Sequence, residues 1–267
     1  QYYKKAKALI PGGTQLLSKR PELFAPGKWP EYYKKAKGIK VWGLNNECWE
    51  DMSIMSVGAA ILGYSDKDVD DAVVNSIKNG VCSSLNCLEE VILAEELKEI
   101  HPWVDMFRFS RGGGEAMSIA VRIARASTSR DLILFSGYHG YADWYLAANI
   151  GDIDALDGHL MKGLDPSGVP RQLKGTSIPF KADSIDNLRR IISKQNKKVA
   201  AIVIEPARGA EANVNYLKEL KELSNELGSV LIFDEITSGF RMCLGGIHQK
   251  YGVNPDIAVL AKALSNG

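Results

Sequence analysis

Three short stretches hold residues able to do chemistry. The first is Lys262, which follows the apolar run Ile257-Ala258-Val259-Leu260 and lies between Ala261 and Ala263. A lysine placed there either carries its ammonium to water along its own methylene stem or sits desolvated. In the second case it loses proton affinity and becomes a nucleophilic amine suited to imine formation. The second stretch is Asp234-Glu235, two acids delivered by the apolar run Val230-Leu231-Ile232-Phe233. A carboxylate desolvated at a strand end needs a cationic partner, a shifted proton affinity or a role in capping the next helix. A metal is a weak candidate for that partner, since no histidine or further acid stands nearby at ligand-like spacing. The third stretch is Gly112-Gly113-Gly114 ahead of Glu115-Ala116. Glycines let a backbone approach a ligand, and the first N–H groups of a helix attract an anion such as phosphate. Close packing alone would also use such a turn. The dinucleotide fingerprint G-x-G-x-x-G, which would mark a nucleotide-binding oxidoreductase, fails because Met117 stands at its third glycine.

These stretches gain meaning from the elements around them. Apolar runs at 132–135, 200–204, 230–233 and 257–260 predict buried strands, and 107–110 predicts a further short one. Helical spacing of apolar residues predicts helices from 67 to about 79, over 88–100, over 115–126 and over 216–227. Continuous apolar strands alternating with helices indicate an α/β fold, a mostly parallel sheet with helices on both faces. In such a sheet ligands bind beyond the carboxyl ends of the strands, which is where all three stretches lie. Residues 1–60, punctuated by Pro11, Pro21, Pro26 and Pro30, read as an irregular N-terminal segment, and 61–267 as the ligand-binding domain. The Gly/Pro/Asp-rich stretch 151–175 is longer than a plain connector and reads as a functional loop, with a disordered excursion as the alternative.

An anion cradle, a buried acid and a buried lysine together suit pyridoxal phosphate (PLP). The cradle would take the phosphate, the acid would pair with the protonated ring nitrogen, and the lysine would join the aldehyde. Further stretches then carry a family resemblance: Gly137-Tyr138-His139-Gly140, Glu205-Pro206, the run Asp234 to Arg241, and the run Pro255 to Gly267. In this order, with Asp234 and Lys262 28 residues apart, the chain resembles class-III aminotransferases of PLP-dependent fold type I. Among them it is most similar to the glutamate-1-semialdehyde 2,1-aminomutase group.

The resemblance implies a role for each matching residue. Lys262 would bond the cofactor covalently and shuttle protons, and Asp234 would face the pyridine nitrogen. Tyr138 would stack on the ring with His139 beside it. The backbone of Gly113 and Gly114 would hold the phosphate, and Glu205 would line the substrate side. Tyr138 as plain core and His139 as a structural histidine remain open. The activity implied is transamination between small-molecule amines and carbonyl compounds, or intramolecular amino transfer, by a cytoplasmic homodimer.

The chain also departs from the family pattern. Hydroxyl residues common in the phosphate cradle are replaced here by glycine, and Leu16 and Lys19 stand where an aminomutase carries a serine and an arginine. The family continues past the lysine into a smaller C-terminal domain that the sequence does not contain. A non-catalytic PLP-binding or oligomerisation module, arising from truncation, is therefore the alternative.

Composition narrows the rest. The 267 residues carry 33 basic and 32 acidic side chains, a net charge of +1. That balance disfavours nucleic acid, whose phosphates call for a basic excess. With 45% hydrophobic residues the chain is an ordinary globular one, and its longest aliphatic run is too short to span a bilayer. Cys48, Cys82, Cys87 and Cys243 show no C-x-x-C spacing, so neither a zinc site nor a redox motif is expected.

Overall fold

The computed structural model describes residues 2–159, 162–208 and 213–267. The chain divides into two compact units, Gln1–Ser84 with Ser265–Gly267, and Leu85–Leu264.

The first unit is more regular than its prolines suggest. A helix spans Tyr2–Leu9. Strands β1 (Tyr33–Lys37), β2 (Lys40–Gly43) and β3 (Cys48–Glu50) form an antiparallel sheet in that order. The expectation of an irregular 1–60 is thus corrected, and the unit extends to Ser84. The reason is compositional: β1 reads Tyr-Lys-Lys-Ala-Lys and is mostly exposed, so no apolar alternation marks it. Pairing comes instead from the turn at Gly38, whose φ of +56 suits glycine, and from Lys37 opposite Lys40. The Lys67–Asn79 helix is capped by Asp66, whose carboxylate accepts from the N–H groups of Asp68 and Val69. Asn266, near the last residue, accepts from Leu62 N–H at 2.8 Å and donates to the Gly63 carbonyl at 3.1 Å.

The second unit holds a five-stranded sheet, wholly parallel, in the order β5 (Ser177–Pro179), β4 (Leu132–Ser136), β6 (Val199–Ile204), β7 (Val230–Glu235) and β8 (Ile257–Leu260). Alternation along the strands divides the core in two. Ile133, Phe135, Val203 and Ile232 face the Gly113–Thr128 helix through Met117, Ala120, Val121 and Ala124. Leu134, Ile202, Ile204, Leu231 and Phe233 face the opposite way, against helices Ile185–Ser193, Val214–Leu227 and Ile247–Tyr251. A parallel sheet with helices on both faces is thus the observed architecture.

Two details differ from the sequence reading. Residues 107–110 form no strand; Arg108, Phe109 and Ser110 are exposed, without the burial a core strand needs. The helix after the glycine turn starts at Gly113 and runs to Thr128. Residues 160 and 161 of the 151–175 stretch lie outside the described residues; on either side of them Asn149 donates its amide to the Leu164 carbonyl at 2.6 Å and accepts from Leu156 N–H at 3.0 Å.

Candidate active site

The period of two along β7 sends its last two side chains to opposite faces. Asp234 shares the face of Ile232 and Glu235 that of Phe233. Asp234 is 4% exposed, and its Oδ2 lies 2.7 Å from Nδ1 of the buried His139. The other nitrogen of that ring, Nε2, is 3.2 Å from the Ser136 carbonyl, and the imidazole stacks on Trp144. Oδ1 of Asp234 accepts from Ile236 N–H at 3.1 Å. A carboxylate has about four lone-pair sites, so this one retains acceptor capacity.

Glu205 follows β6, and the β6–β7 register places Ile204 beside Phe233. Glu205 therefore comes next to Asp234 at the ends of adjacent strands. Its Oε2 accepts from Tyr138 N–H at 3.1 Å and pairs with Arg208 Nη1. Gly137 makes this approach possible. It has φ +117, and a Cβ on it would stand 2.6 Å from that same Oε2. The Gly137 N–H donates to Nδ1 of His159, so the 151–175 stretch braces the turn that carries Tyr138 and His139. The Tyr138 ring is half-buried, and burial pushes its phenol above the ordinary tyrosine range.

Gly140 joins this turn to the glycine cradle. At φ +93 its would-be Cβ comes within 3.5 Å of the Gly114 backbone. At the start of the Gly113–Thr128 helix, Gly114 and Gly112 face open space where a side chain would go, whereas a Cβ on Gly113 would press on Ile236 at 2.8 Å. The cradle thus lies on Ile236, two residues after Asp234. Glu115 reaches back to accept from Arg111 N–H at 2.9 Å.

Lys262 lies two residues past Leu260, which is in register with Glu235. Its φ of +51 is left-handed, a strained choice for a lysine. Nζ lies 2.8 Å from Thr237 Oγ1. Burial, then the neighbouring Arg208 charge, push its ammonium below the ordinary lysine range, while Asp234 and Glu205 pull it back up. All the residues singled out in the sequence therefore meet in one unit: Asp234 bonds His139, Glu205 holds the Tyr138 backbone, and Lys262 stands in the field of both acids. Among the described residues, no three His, Cys, Asp or Glu side chains gather as a metal site.

Three participants are not read from sequence. Thr237 touches the lysine amine, and its only signal is its place three residues after the acid. Arg208 lies three residues after Glu205, the spacing of one loop turn. The third is the group around Glu235. Its carboxylate accepts from Ile247 N–H at 2.6 Å, His248 N–H at 3.1 Å and Ser238 Oγ at 3.3 Å, and bonds the His248 ring as well. His248 Nε2 in turn lies 3.0 Å from His101 Nδ1.

The profile of class-III aminotransferases matches residues 25–267. The chain belongs to that family. It is 35% identical to a 3-aminobutyryl-CoA aminotransferase of Cloacimonas acidaminovorans, over 99% of this chain and 61% of the relative. It is 34% identical to a glutamate-1-semialdehyde 2,1-aminomutase of Francisella philomiragia, again over 99% of this chain and 61% of the relative. The chain thus spans about three fifths of the length of these relatives. A solved transaminase with PLP bound superposes with a TM-score of 0.85 at 24% identity, covering all of this chain and 61% of that one. The fold is accordingly that of the large domain of PLP-dependent fold type I, as the motifs implied.

The residues present fit that cofactor. They offer a half-buried amine of lowered proton affinity, a buried carboxylate with acceptor capacity left, and a helix N-terminus whose first glycine is packed while the next opens to space.

Proposed function

We propose that the full-length protein is a PLP-dependent aminotransferase or aminomutase acting on small-molecule amines and carbonyl compounds. The observation that carries this reading is Lys262. Its amine, held against Thr237 and depleted of proton affinity by burial, is in the field of the Asp234–His139 pair at the ends of adjacent parallel strands.

When bound, the cofactor supplies an aldehyde that captures amines and a ring that accepts the electron pair left by deprotonation. The remaining work falls to this chain. Lys262 Nζ takes a proton from the carbon bearing the substrate nitrogen and later returns one, and its lowered proton affinity suits a general base near neutral pH. Asp234 would keep a proton on the pyridine nitrogen by ion pairing, and His139, bonded to its Oδ2, fixes that carboxylate. The N–H groups of Gly113 and Gly114 would hold the phosphate at the helix N-terminus, with no side-chain hydroxyl from either residue. Tyr138 would pack its ring against the heterocycle, and Glu205 orients the Tyr138 backbone.

A homodimer belongs to the same proposal. It is supported by the Leu88–Ile100 helix, which leaves Leu88, Val91, Ile92 and Leu93 exposed and buries Leu97. So does a cytoplasmic location, supported by four free cysteines, three of them exposed. No helix among the described residues is long and apolar enough to cross a membrane.

The test is spectroscopic. Purified full-length protein mixed with PLP should develop a visible absorption band that an amine donor then removes. A band that persists under every donor leaves a binding module and contradicts catalysis.

A further inference from the structure

The loop 236–246 brings Thr237 Oγ1 to 2.8 Å from the Lys262 amine, and its backbone is strained. Phe240 holds φ +56, a left-handed choice for an aromatic residue, and Gly245 holds φ +87. A side chain forced into that region stays there only where its surroundings over-determine it. His101 is part of those surroundings. A Cβ on Gly245 would stand 2.9 Å from its Cε1, and its ring meets that of Phe240 edge to face at 6.3 Å. At the start of the loop, the Glu235 carboxylate accepts from Ser238 Oγ at 3.3 Å and its carbonyl from Gly239 N–H at 2.8 Å. Thr237 thus lies in a turn closed on Glu235.

Two histidines that the proposed chemistry does not use connect these anchors. A carboxylate only accepts, so Nδ1 of His248 carries the hydrogen that faces Glu235. Between His248 Nε2 and His101 Nδ1, 3.0 Å apart, there is room for one hydrogen. The Gln249 amide nitrogen lies 3.2 Å from that same Nδ1, and His101 Nε2 is buried with no hydrogen-bond partner among the described residues. A second proton on the His101 ring therefore finds no acceptor in either tautomer. At Nδ1 it meets the donors of His248 and Gln249, and at Nε2 it is buried and unpaired. Burial first, then the His248 charge from the Ile247–Tyr251 helix, hold His101 below the ordinary 6.5, while Glu235 from β7 pulls it up. The loop and its own segment turn only the uncharged rings of Phe240 and Trp103 toward it.

We propose that His101 and His248 are positioning residues that form an acid-sensitive brace: neutral His101 holds the 236–246 loop, and with it Thr237, against the Lys262 amine, and a proton on His101 releases it. This rests on the reading of Lys262 as the group that captures the cofactor aldehyde. Because the folded site resists the proton and an opened one does not, the brace is fully present above pH 6.5 and weakens as pH falls below it. The opening constant should rise by up to about tenfold per pH unit.

The test uses full-length protein between about pH 8 and about pH 5, the window in which histidine changes charge. Hydrogen exchange of residues 236–246, corrected for intrinsic rate, should accelerate by that factor below pH 6.5 while β6 stays protected. His101→Asn places an amide oxygen near the position of Nδ1 and takes up no proton, so it should abolish the acceleration. PLP capture by Lys262, read from its visible band, should fall with acid more steeply in the unaltered protein than in this variant, by a similar factor per unit. Equal pH slopes in the two proteins overturn the proposal. So does exchange that rises in β6 and the loop together, which is general acid unfolding and is read on the unaltered protein even where the variant does not fold. A loop that responds to His101 while PLP capture does not overturns it too. If the loop responds to His101 but no PLP is taken up at any pH, the brace stands and the amino-transfer reading fails.

Discussion

Asp234 and Glu235 are neighbours on one strand, both buried, both bonded to a histidine ring, and they differ in what is left over. Glu235 accepts from two backbone N–H groups, one hydroxyl and the His248 imidazole, which uses all four lone-pair sites. It closes the loop 236–246 onto the Ile247–Tyr251 helix and offers nothing to a ligand. Among the described residues Asp234 accepts from His139 and Ile236 N–H alone, and its charge reaches Lys262. Burial of an acid therefore does not by itself mark a functional group. The unspent acceptor capacity does.

The difference can be broken from either side. Glu235→Gln replaces an acceptor-only group by one whose NH₂ faces two donors whichever oxygen it replaces, and unfolding should become easier by about 3–5 kcal/mol, the range for a broken buried pair. Urea titration of the full-length protein reads this, and a loss below about 1 kcal/mol would remove the structural role. Asp234→Asn should show the reverse profile. We expect a slowing of amine turnover on the order of 10²- to 10³-fold, as for loss of one preorganised electrostatic partner, with a smaller change in the urea midpoint. If the two variants behaved alike in both assays, the contrast between the acids would be lost.

A third prediction concerns pH. Lys262 has a folded proton affinity below its unfolded one, so burial of the ammonium costs stability at neutral pH. That cost is fully present below the folded pKa and is relieved as pH rises from there toward 10.5, because the unfolded chain then binds more protons. Capture of an aldehyde should gain rate through a midpoint below 10.5, and Arg208→Gln, which removes a nearby cation, should shift that midpoint upward. A downward shift would contradict the placement of Arg208. The smallest effect expected is at the cradle. Gly114 faces open space, so Gly114→Ser should fit and tighten PLP by about 1–2 kcal/mol through an added hydroxyl. Equilibrium dialysis of PLP checks it, and weaker binding would mean that the phosphate sits elsewhere.

Much of this arrangement is legible in the sequence for one reason. Parallel strands buried on both faces are continuous apolar runs, so their ends, and the residues they deliver, can be read directly. Asp234 and Lys262 stand at such ends, and the Gly-Tyr-His-Gly and Glu-Pro stretches stand out through family resemblance. The lysine-rich strand β1 was not, because neither of its faces is buried enough to leave a pattern. The residues 107–110 carry a strand-like composition but remain exposed. Pairings across long separations were equally silent: His139 with Asp234 spans 95 residues and His101 with His248 spans 147. Arg208 sits in a loop, where no periodicity singles out one arginine from another.

The central claim is that the Lys262 amine is the nucleophile of this site. Full-length protein incubated with PLP, reduced with borohydride and digested for mass spectrometry should carry the pyridoxyl mass on the peptide containing Lys262, and Lys262→Ala should carry none there. A modified peptide from another lysine, or no modified peptide at all, would contradict it.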